Sequence, residues 1–560
     1  MVQDRRRRRV VPACLASLGL MALAAASLVA ADGPRDKARG ASTKAGVPAS
    51  ATTNGSRPDY IDRMIREGWA SANLKASPVA RDEEFLRRAY LDILGRIPNI
   101  GETKAFLASG RDSNRRARLV EALLAHPDYQ KNFANQWKVL LIGRANRGQN
   151  VDAKALRDWL RRQFAENRPW NEVAFDLITA TGNNHANGAA NFVMSHLESG
   201  AVPLTSITTR VFLGQQIQCT QCHDHPSNDW KQADFWGINA FLKGIKTEPV
   251  FAEDAAGKSI IDHVEVKDVP TDDFASFDRR DARMGIAFPT FLDGRKISQG
   301  KDVNRRLALA KFITDPSNDD FARAFVNRMW GHFFGRGFVN PVDDFGPHNA
   351  ATHPELLDKL AQDFKAGGYD VKGLIRWIVG SEAYNLTSMT LPGAHGNEKD
   401  ETLFSHMALK PMTPEQLFDS LLVATAAHKV GGFEDTDSRR SVWMGQFQFA
   451  FANDEGEEGS SFQGTIPQAL MMMNGDLMHR AVGGQPGSFL VDLLETARGH
   501  GGEVDKYVVD HLYLAALSRH PTPAELANSR KFLGGFPDTI QVMEDLFWAL
   551  LNSNEFVLNR

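Results

Sequence analysis

Residues 156–164 read Leu-Arg-Asp-Trp-Leu-Arg-Arg-Gln-Phe, and their apolar members recur at intervals of three and four residues. This spacing forms one apolar stripe along an α-helix and leaves the charged residues on the other faces. The stripe consists of Leu156, Trp159, Leu160 and Phe164. Comparable patterns run from residue 58 to about 243 and again from 303 onward. The sequence therefore predicts a mainly α-helical protein.

The segment between these helical regions has a different composition. Residues 246–302 are rich in Pro, Gly and Asp, and Val264 and Val266 alternate with charged neighbours as in a strand. A chain of 560 residues is also longer than one hydrophobic core usually organises. We therefore expect two helical domains, at 58–245 and 303–560, joined by this short irregular segment with a few short strands.

The N-terminus has the three parts of a secretory signal peptide. A basic run at 5–9 precedes an apolar run at 10–30, and small residues offer a cleavage site before Asp32. An uncleaved membrane anchor is the alternative, because the apolar run approaches the ~20 residues that span a bilayer. We predict a signal peptide at 1–31 and a disordered linker at 32–57. The mature protein would be periplasmic or otherwise exported, for example to the cell surface.

Charge and hydropathy limit the partners of the mature chain. The formal net charge is −3, and it becomes −7 once the five arginines and one aspartate of residues 1–31 are removed. An acidic protein has no electrostatic reason to bind nucleic acid. No later segment is long and apolar enough to span a bilayer, so we expect no transmembrane segment after cleavage of the signal peptide.

The cysteines belong to the sharpest chemical motif. Only three occur, and Cys14 lies in the predicted signal peptide, so the mature chain keeps Cys219 and Cys222. With His223 they form Cys-x-x-Cys-His, the attachment motif of c-type haem. Thiols three positions apart on a helical turn reach the two vinyl groups at one porphyrin edge, and the adjacent histidine ligates the iron. We therefore predict covalent haem c at the two cysteines, with His223 as an iron ligand.

Two other interpretations of the same residues stay open. Zn²⁺ prefers sulfur and nitrogen in a tetrahedron, so Cys219 and Cys222 could form a structural metal site with His223 or His225. Adjacent ligands in one short loop would then need a fourth partner from elsewhere. The cysteines could instead form a disulfide, although nothing nearby resembles the βαβ context of a thioredoxin-like motif.

The second axial ligand of the predicted haem has three candidates. Met284 lies downstream, in a segment with Gly and Pro that could loop over a haem. Met194 and His196 lie upstream in a possible helix. A methionine ligand would raise the reduction potential, whereas an open position would allow peroxide or substrate chemistry.

Two distant segments share a pattern that indicates an internal repeat. Each has a helix, an Arg-x-Pro turn, a second helix, and a later helix that ends on an aromatic residue. The matched pairs are Tyr90 and Tyr513, Leu94 and Leu517, Arg96 and Arg519, Pro98 and Pro521, Glu102 and Glu525, Asp128 and Glu555, and Tyr129 and Phe556. A true repeat predicts that the two copies share a helical plan and pack together. Chance similarity between amphipathic helices is the alternative.

Two further helix starts carry the signature of a capping box, in which a Ser or Thr precedes a Glu by three positions. Thr522 is followed by Glu525, and Thr352 is followed by Glu355. We expect a helix to begin directly after each threonine.

The second helical region has its own cluster of polar residues. It comprises Asn327, Arg328, His332, Arg336, Asp343, Asp344 and His353. Arg328 and His332 are four positions apart and share a helix face. Asp343 and Asp344 could bind a cation or a polar substrate, or accept a hydrogen bond from Arg336. A structural salt-bridge network that braces a loop is the alternative.

Residues 85–98 and 212–226, with Trp230 and Phe235 behind them, carry a family resemblance. They resemble the planctomycete-specific domain that is named as a second type of planctomycete cytochrome. The usual companion of that domain is a planctomycete-specific C-terminal domain of unknown function. Five segments resemble the companion, at 305–308, 325–337, 343–346, 352–357 and 550–556. The resemblance implies a paired-domain family over nearly all of residues 58–560, exported and without an established reaction.

These observations predict an exported c-type haem protein that serves electron transfer or forms a redox component of an oxidoreductase system, with a redox partner protein. One alternative is an exported enzyme that acts on polysaccharide or another extracellular substrate through Asp343 and Asp344, with a structural metal in the cysteine–histidine loop. A non-catalytic cell-surface scaffold is the other.

Overall fold

The computed structural model describes residues 58–560, apart from 111, 113, 145–149, 271–273, 299, 301–302, 391–400, 431–437, 439, 443–444, 446–474, 501–502 and 535–538. The predicted signal peptide at 1–31 and the predicted linker at 32–57 lie outside the described residues. Both remain predictions.

The described chain is mainly α-helical, which confirms the predicted fold class. The helices before the connector are α1 (Tyr60–Ser71), α2 (Asp82–Leu94), α3 (Ile100–Ala108), α4 (Arg115–Ala125), α5 (Pro127–Ile142), α6 (Ala153–Ala165), α7 (Trp170–Thr179), α8 (Ala190–Met194), α9 (Glu198–Leu213) and α10 (Gln232–Leu242). Those after it are α11 (Arg305–Ile313), α12 (Asp319–Phe334), α13 (Pro354–Ala366), α14 (Val371–Val379), α15 (Pro414–Thr425), α16 (Asp476–Val482), α17 (Phe489–Gly499), α18 (Val504–Leu517), α19 (Pro523–Leu533), α20 (Thr539–Leu551) and α21 (Asn554–Val557). None of these described helices could cross a membrane, because none is both long and apolar enough.

Most strand residues lie in the predicted connector. The strands are β1 (Gly182–Asn183), β2 (Ile245–Glu253), β3 (Ser259–Asp268), β4 (Ala275–Asp278), β5 (Met284–Ala287), β6 (Lys410–Pro411) and β7 (Leu558–Asn559). They form an antiparallel sheet in the order β1–β3–β2, a β4–β5 hairpin and a β6–β7 pair. Val264 and Val266 are buried on one face of β3, as their alternation predicts. At nine and ten residues, β2 and β3 are longer than the short strands we expected.

Helices from both sides of the connector share a hydrophobic core. The described residues from 58 onward belong to one compact unit, and one core extends from Tyr60 to Met407. In it, Trp170 of α7 stacks on Phe325 of α12 with the ring centroids 4.6 Å apart. A second core combines Leu91 and Ile97 with the C-terminal helices. The two predicted helical regions are therefore in extensive contact.

Matching hydrogen bonds support the internal repeat, but the predicted helix ending on an aromatic residue is wrong for the first copy, because Tyr129 lies near the start of α5. Arg96 forms a bidentate pair with Glu102 at 2.9 Å, and its Nε donates to Asp128 at 2.7 Å. Arg519 repeats both contacts, with Glu525 at 2.8 Å and Glu555 at 2.7 Å. Each guanidinium also lies 5.5 Å from the ring centroid of its repeat's tyrosine, Tyr90 or Tyr513.

The two copies also pack together, as a true repeat predicts. Arg87 of α2 is fully buried and donates to the carbonyl oxygens of Ala516 and Phe556, at 2.9 and 2.7 Å. Beside this contact, Lys104 of α3 lies 2.8 Å from the Nε2 atom of His511 in α18.

One of the two capping boxes is confirmed. Thr522 caps α19 together with Glu525. The box at Thr352 was predicted wrongly, because α13 begins at Pro354 and its N-cap is His353. Proline is favoured at the first helical position, where its missing N–H costs no hydrogen bond, so the residue before Pro354 becomes the cap.

Candidate functional site

The Cys-x-x-Cys-His motif lies on a short 3₁₀ helix (Gln218–Gln221) and the turn after it. This helix follows α9, which ends at Gly214 with a left-handed backbone of φ 67°. Thr220 is buried, and its hydroxyl donates to a backbone carbonyl oxygen at 2.6 Å. With Thr220 turned inward, Cys219 and Cys222 lie on the outside of the turn.

Both cysteines are exposed, and neither forms a disulfide. Partial desolvation raises the pKa of the Cys219 thiol, and the nearby carboxylate of Asp344 also acts to raise it. A raised pKa keeps this thiol protonated at neutral pH, in contrast to the lowered pKa of catalytic cysteines. The turn thus presents two accessible thiols without activating Cys219 as a nucleophile.

The imidazole of His223 is held in one tautomer. Its Nδ1 lies 2.7 Å from the carbonyl oxygen of Asp224. Because a carbonyl oxygen only accepts, Nδ1 carries the proton, and the lone pair of Nε2 is available to a metal ion. Histidine ligands commonly donate their other ring nitrogen to a backbone carbonyl in this way. His223 therefore has the tautomer that an iron ligand bound through Nε2 requires.

Local hydrogen bonds close the turn that follows His223. The carboxylate of Asp224 accepts from the backbone N–H of Gln232 at 3.0 Å, which lowers the pKa of Asp224. The backbone N–H of His225 donates to the carbonyl oxygen of Trp230 at 2.8 Å. These two hydrogen bonds therefore hold the peptide group between Asp224 and His225. The carbonyl oxygen of that peptide group is the one that orients His223.

Two partly buried tryptophans border the motif. The indole N–H of Trp236 donates to the carbonyl oxygen of Gln221 at 3.1 Å, and that of Trp230 donates to the side chain of Gln215 at 3.2 Å. Trp236 also stacks on Phe277 of the β4–β5 hairpin, with centroids 5.5 Å apart and planes 1° from parallel. The motif thus has apolar rings at its edge.

The loop at 343–349 of the second helical region lies against the motif. The backbone N–H of Phe345 donates to the carbonyl oxygen of Gly214 at 2.9 Å, and Gln216 donates to Asp343 at 3.2 Å. A Cβ atom at Gly214 would lie 2.4 Å from the ring of Phe345, so only glycine permits this approach. The sequence analysis treated the two clusters as separate, and the fold brings them together.

Asp343 is the centre of an ion-pair network between the two regions. Its carboxylate pairs with Arg328 of α12 at 3.2 Å and with Arg210 of α9 at 3.5 Å. Arg336, the predicted partner, does not pair with it, and the Nε atom of Arg336 is buried without a hydrogen-bond acceptor. For Asp343, these contacts favour the structural alternative, in which a salt-bridge network braces the loop. Sequence reasoning did not identify Arg210.

The next residues of the loop reach the histidines of the motif. His348, which the sequence analysis did not single out, pairs through Nε2 with Asp344 at 3.1 Å. Its ring packs on that of His225 with the centroids 5.8 Å apart. Burial lowers the pKa of His225, and the neighbouring His348 lowers it further. Asp344, which the sequence predicted, and His348, which it did not, therefore both lie beside the motif.

Comparison with protein families divides the chain at the same place. Residues 60–247 match the family PSCyt2, a protein of unknown function (DUF1549). Residues 305–533 match PSD1, a protein of unknown function (DUF1553). These two matched segments are called the PSCyt2 region and the PSD1 region below. No curated protein and no solved structure matches it. The motif lies in the PSCyt2 region, and Asp344 and His348 lie in the PSD1 region.

Other members of the predicted PSD1 cluster have structural partners. The side chain of Asn327 is fully buried and donates to the carbonyl oxygens of Val339 and Val342, at 2.8 and 2.9 Å. His332 lies 2.9 Å from the carbonyl oxygen of Asp92 in the PSCyt2 region. His353 is buried, and desolvation lowers its pKa to about 4. The structure thus divides the cluster: Asn327 and His353 are buried in the fold and His332 is partly buried, whereas the two aspartates lie beside the motif and Arg328 pairs with one of them.

The three candidates for a second axial ligand differ in their surroundings. His196 is buried, and its Nε2 lies 2.7 Å from the carbonyl oxygen of Leu141. Met194 packs against the larger core. Met284 is 72% exposed on the outer face of the β4–β5 hairpin. That hairpin is tied to the motif, because the side-chain amide of Gln232 donates to the carbonyl oxygens of both Gln221 and Asp278.

Preformed metal sites are a separate question from haem attachment. Among the described residues, no group of three or more His, Cys, Asp or Glu side chains is placed to hold a metal ion. A structural Zn²⁺ site normally has four such ligands in a tetrahedron.

Proposed function

We propose that this protein is an exported c-type haem protein that transfers electrons, by itself or within an oxidoreductase system. Its haem is attached at Cys219 and Cys222, and His223 ligates the iron. One observation carries this proposal. Cys219 and Cys222 present two exposed thiols on one turn, and the Nδ1 atom of the adjacent His223 is hydrogen-bonded to a backbone carbonyl oxygen. The cytochrome-like name of PSCyt2 agrees with it but belongs to a family of unknown function.

The residues around the motif have distinct roles in this proposal. Each thiol adds across one vinyl double bond, and the S–H hydrogen goes to the other vinyl carbon, so no external oxidant is needed. Haem c supplies a reversible one-electron change of the iron. Trp236 and Phe277 cover part of the site with apolar rings, which excludes water and influences the reduction potential. Haem attachment outside the cytoplasm is consistent with the predicted signal peptide.

Covalent haem is the direct test. We expect the full chain, expressed in a host competent for cytochrome c maturation, to retain haem on a denaturing gel and to give a pyridine haemochrome spectrum. Cys222→Ala should lose at least one of the two thioether bonds and shift that spectrum, and Cys219→Ala with Cys222→Ala should lose covalent haem completely. Cys14→Ala is the matched control, because this third cysteine lies outside the motif.

A folded wild-type chain without covalent haem would contradict the proposal. Elemental analysis of the same sample would then show whether zinc is bound, and thiol counting would show whether Cys219 and Cys222 are oxidised to a disulfide. Mass spectrometry of the exported chain tests the localisation, because cleavage at the predicted site leaves Asp32 as the first residue.

We further propose Met284 as the second axial ligand, since its thioether is not packed in the core and its hairpin is tied to the motif. Met284→Ala is expected to lower the midpoint potential, because a methionine ligand raises it, and to remove the methionine-to-iron absorption band. Met389→Ala is the control, because Met389 is equally exposed at 73%. An unchanged spectrum and potential in Met284→Ala would exclude this ligand.

A further inference from the structure

The PSD1 region places a rigid loop against the turn that follows the haem motif. Residues 343–349 are held by the ion pairs of Asp343 and by the bond from Phe345 to Gly214. The side chain of Asn349 donates to the carbonyl oxygen of Asp344 at 3.0 Å, and its backbone N–H donates to that of Gly346 at 3.0 Å. The loop therefore presents Asp344 and His348 in a fixed position.

The approach of this loop to the turn is close. A Cβ atom at Gly346 would lie 2.6 Å from the ring of His348 and 2.7 Å from the side-chain nitrogen of Asn228, so glycine allows this approach without displacing either side chain. The ring of His348 packs on His225, and its Nε2 is tied to Asp344. His225 is thus held by the PSD1 region on one face and by its own turn through the backbone bond to Trp230.

We propose that Asp344 and His348, both in the PSD1 region, are positioning residues that orient the iron ligand His223. The proposal rests on the haem function proposed above. His348 fixes His225, and His225 shares a peptide with Asp224, whose carbonyl oxygen accepts the Nδ1 proton of His223. Hydrogen bonds to an axial histidine set its orientation and basicity, and through them the reduction potential of the iron.

The PSD1 region therefore has a specific task. This region does not attach the haem. It controls the orientation and basicity of the histidine that the PSCyt2 region supplies as iron ligand. Loss of His348 should therefore leave haem attachment intact and change the properties of the iron. A residue with a merely structural role would change stability without changing the potential.

The test uses the full haem-loaded chain in four variants. His348→Ala and Asp344→Asn are expected to keep the wild-type haem content, to shift the midpoint potential and to alter the electron paramagnetic resonance spectrum of the ferric haem. His348→Phe keeps a ring on His225 but loses the bond to Asp344, so it should recover part of the shift. His185→Ala is the control, because this half-exposed histidine lies in the turn after β1 and should change nothing.

A second measurement separates this inference from the haem proposal. In the chain produced without haem, His348→Ala should increase hydrogen exchange at the backbone N–H of His225, which bonds to Trp230. A wild-type chain that binds no haem would refute the proposed function. Potentials and spectra equal to wild type in a haem-loaded His348→Ala, together with unchanged exchange at His225, would overturn the positioning role.

Discussion

Replacing Asp92 with alanine is expected to lower the free energy of unfolding by about 3–5 kcal/mol, the usual cost of removing one partner of a buried ion pair. The carboxylate is 2% exposed and accepts three hydrogen bonds. They come from Lys410, Asn559 and Tyr384, each at 2.7 Å. Removal of the carboxylate leaves the ammonium of Lys410 buried with only two backbone carbonyls as partners. Chemical denaturation of the full chain measures the loss.

The charge of Lys410 adds a pH signature to this prediction. Burial lowers the pKa of Lys410 even with Asp92 present, and Asp92→Ala should lower it further. A lysine whose folded pKa lies below its unfolded value of about 10.4 binds more protons in the unfolded state, so stability rises with pH. The variant should therefore recover part of its stability between pH 7 and 10. Asp545→Ala, at an exposed helical aspartate, is the control and should change stability by less than about 0.5 kcal/mol. An equally small loss in Asp92→Ala would show that this network does not stabilise the fold.

Local patterns in the sequence predicted local structure well. The three-and-four spacing of Leu156, Trp159 and Phe164 corresponds to α6, where all three are buried. The cysteine–histidine spacing predicted a helical turn, and a short 3₁₀ helix is present at Gln218–Gln221. In each case the local structure is determined by residues close in sequence, through helical periodicity in α6 and through a short turn at the motif.

Contacts between distant segments could not be predicted in the same way. Gln216 and Asp343 are 127 positions apart, and no local pattern relates them. Arg328 rather than Arg336 reaches Asp343 because Arg336 lies beyond the left-handed residue Gly335, which ends α12 and turns the chain away from the helix direction. His348 was overlooked because a single histidine in a loop has no spacing to identify it.

The internal repeat is the exception, since its pattern predicted contacts between distant residues. Asp128 and Glu555 were matched because each directly precedes the aromatic residue of its copy, Tyr129 or Phe556, and both accept from the matched arginine. The reason is that a guanidinium has five N–H donors in a fixed planar arrangement. One arginine can therefore bind the capping glutamate and a second carboxylate at the same time. Once that geometry occurs twice, residue types and spacing together identify it.

Replacing Arg519 with methionine is expected to cost about 2 kcal/mol of unfolding free energy, less than a fully buried pair because Glu525 is partly exposed. Methionine keeps an apolar side chain beside Tyr513 and removes all four hydrogen bonds to Glu525 and Glu555. Arg96→Met, at the matched position of the first copy, should cost a similar amount. Arg283→Met, at an arginine that is 82% exposed, is the control and should cost nothing measurable.

The pH dependence decides whether the loss comes from this network. The hydrogen bond from Arg519 is the main cause that lowers the pKa of Glu525 to about 2. A glutamate with a depressed folded pKa contributes stability that is complete above its unfolded pKa of about 4.3 and is lost as the pH falls toward 2. The stability difference between the wild type and Arg519→Met should therefore shrink over this range, because acid removes from the wild type the contribution that the variant already lacks. A difference that stays constant from pH 6 to pH 2 would assign the loss to packing against Tyr513 instead of to the carboxylates.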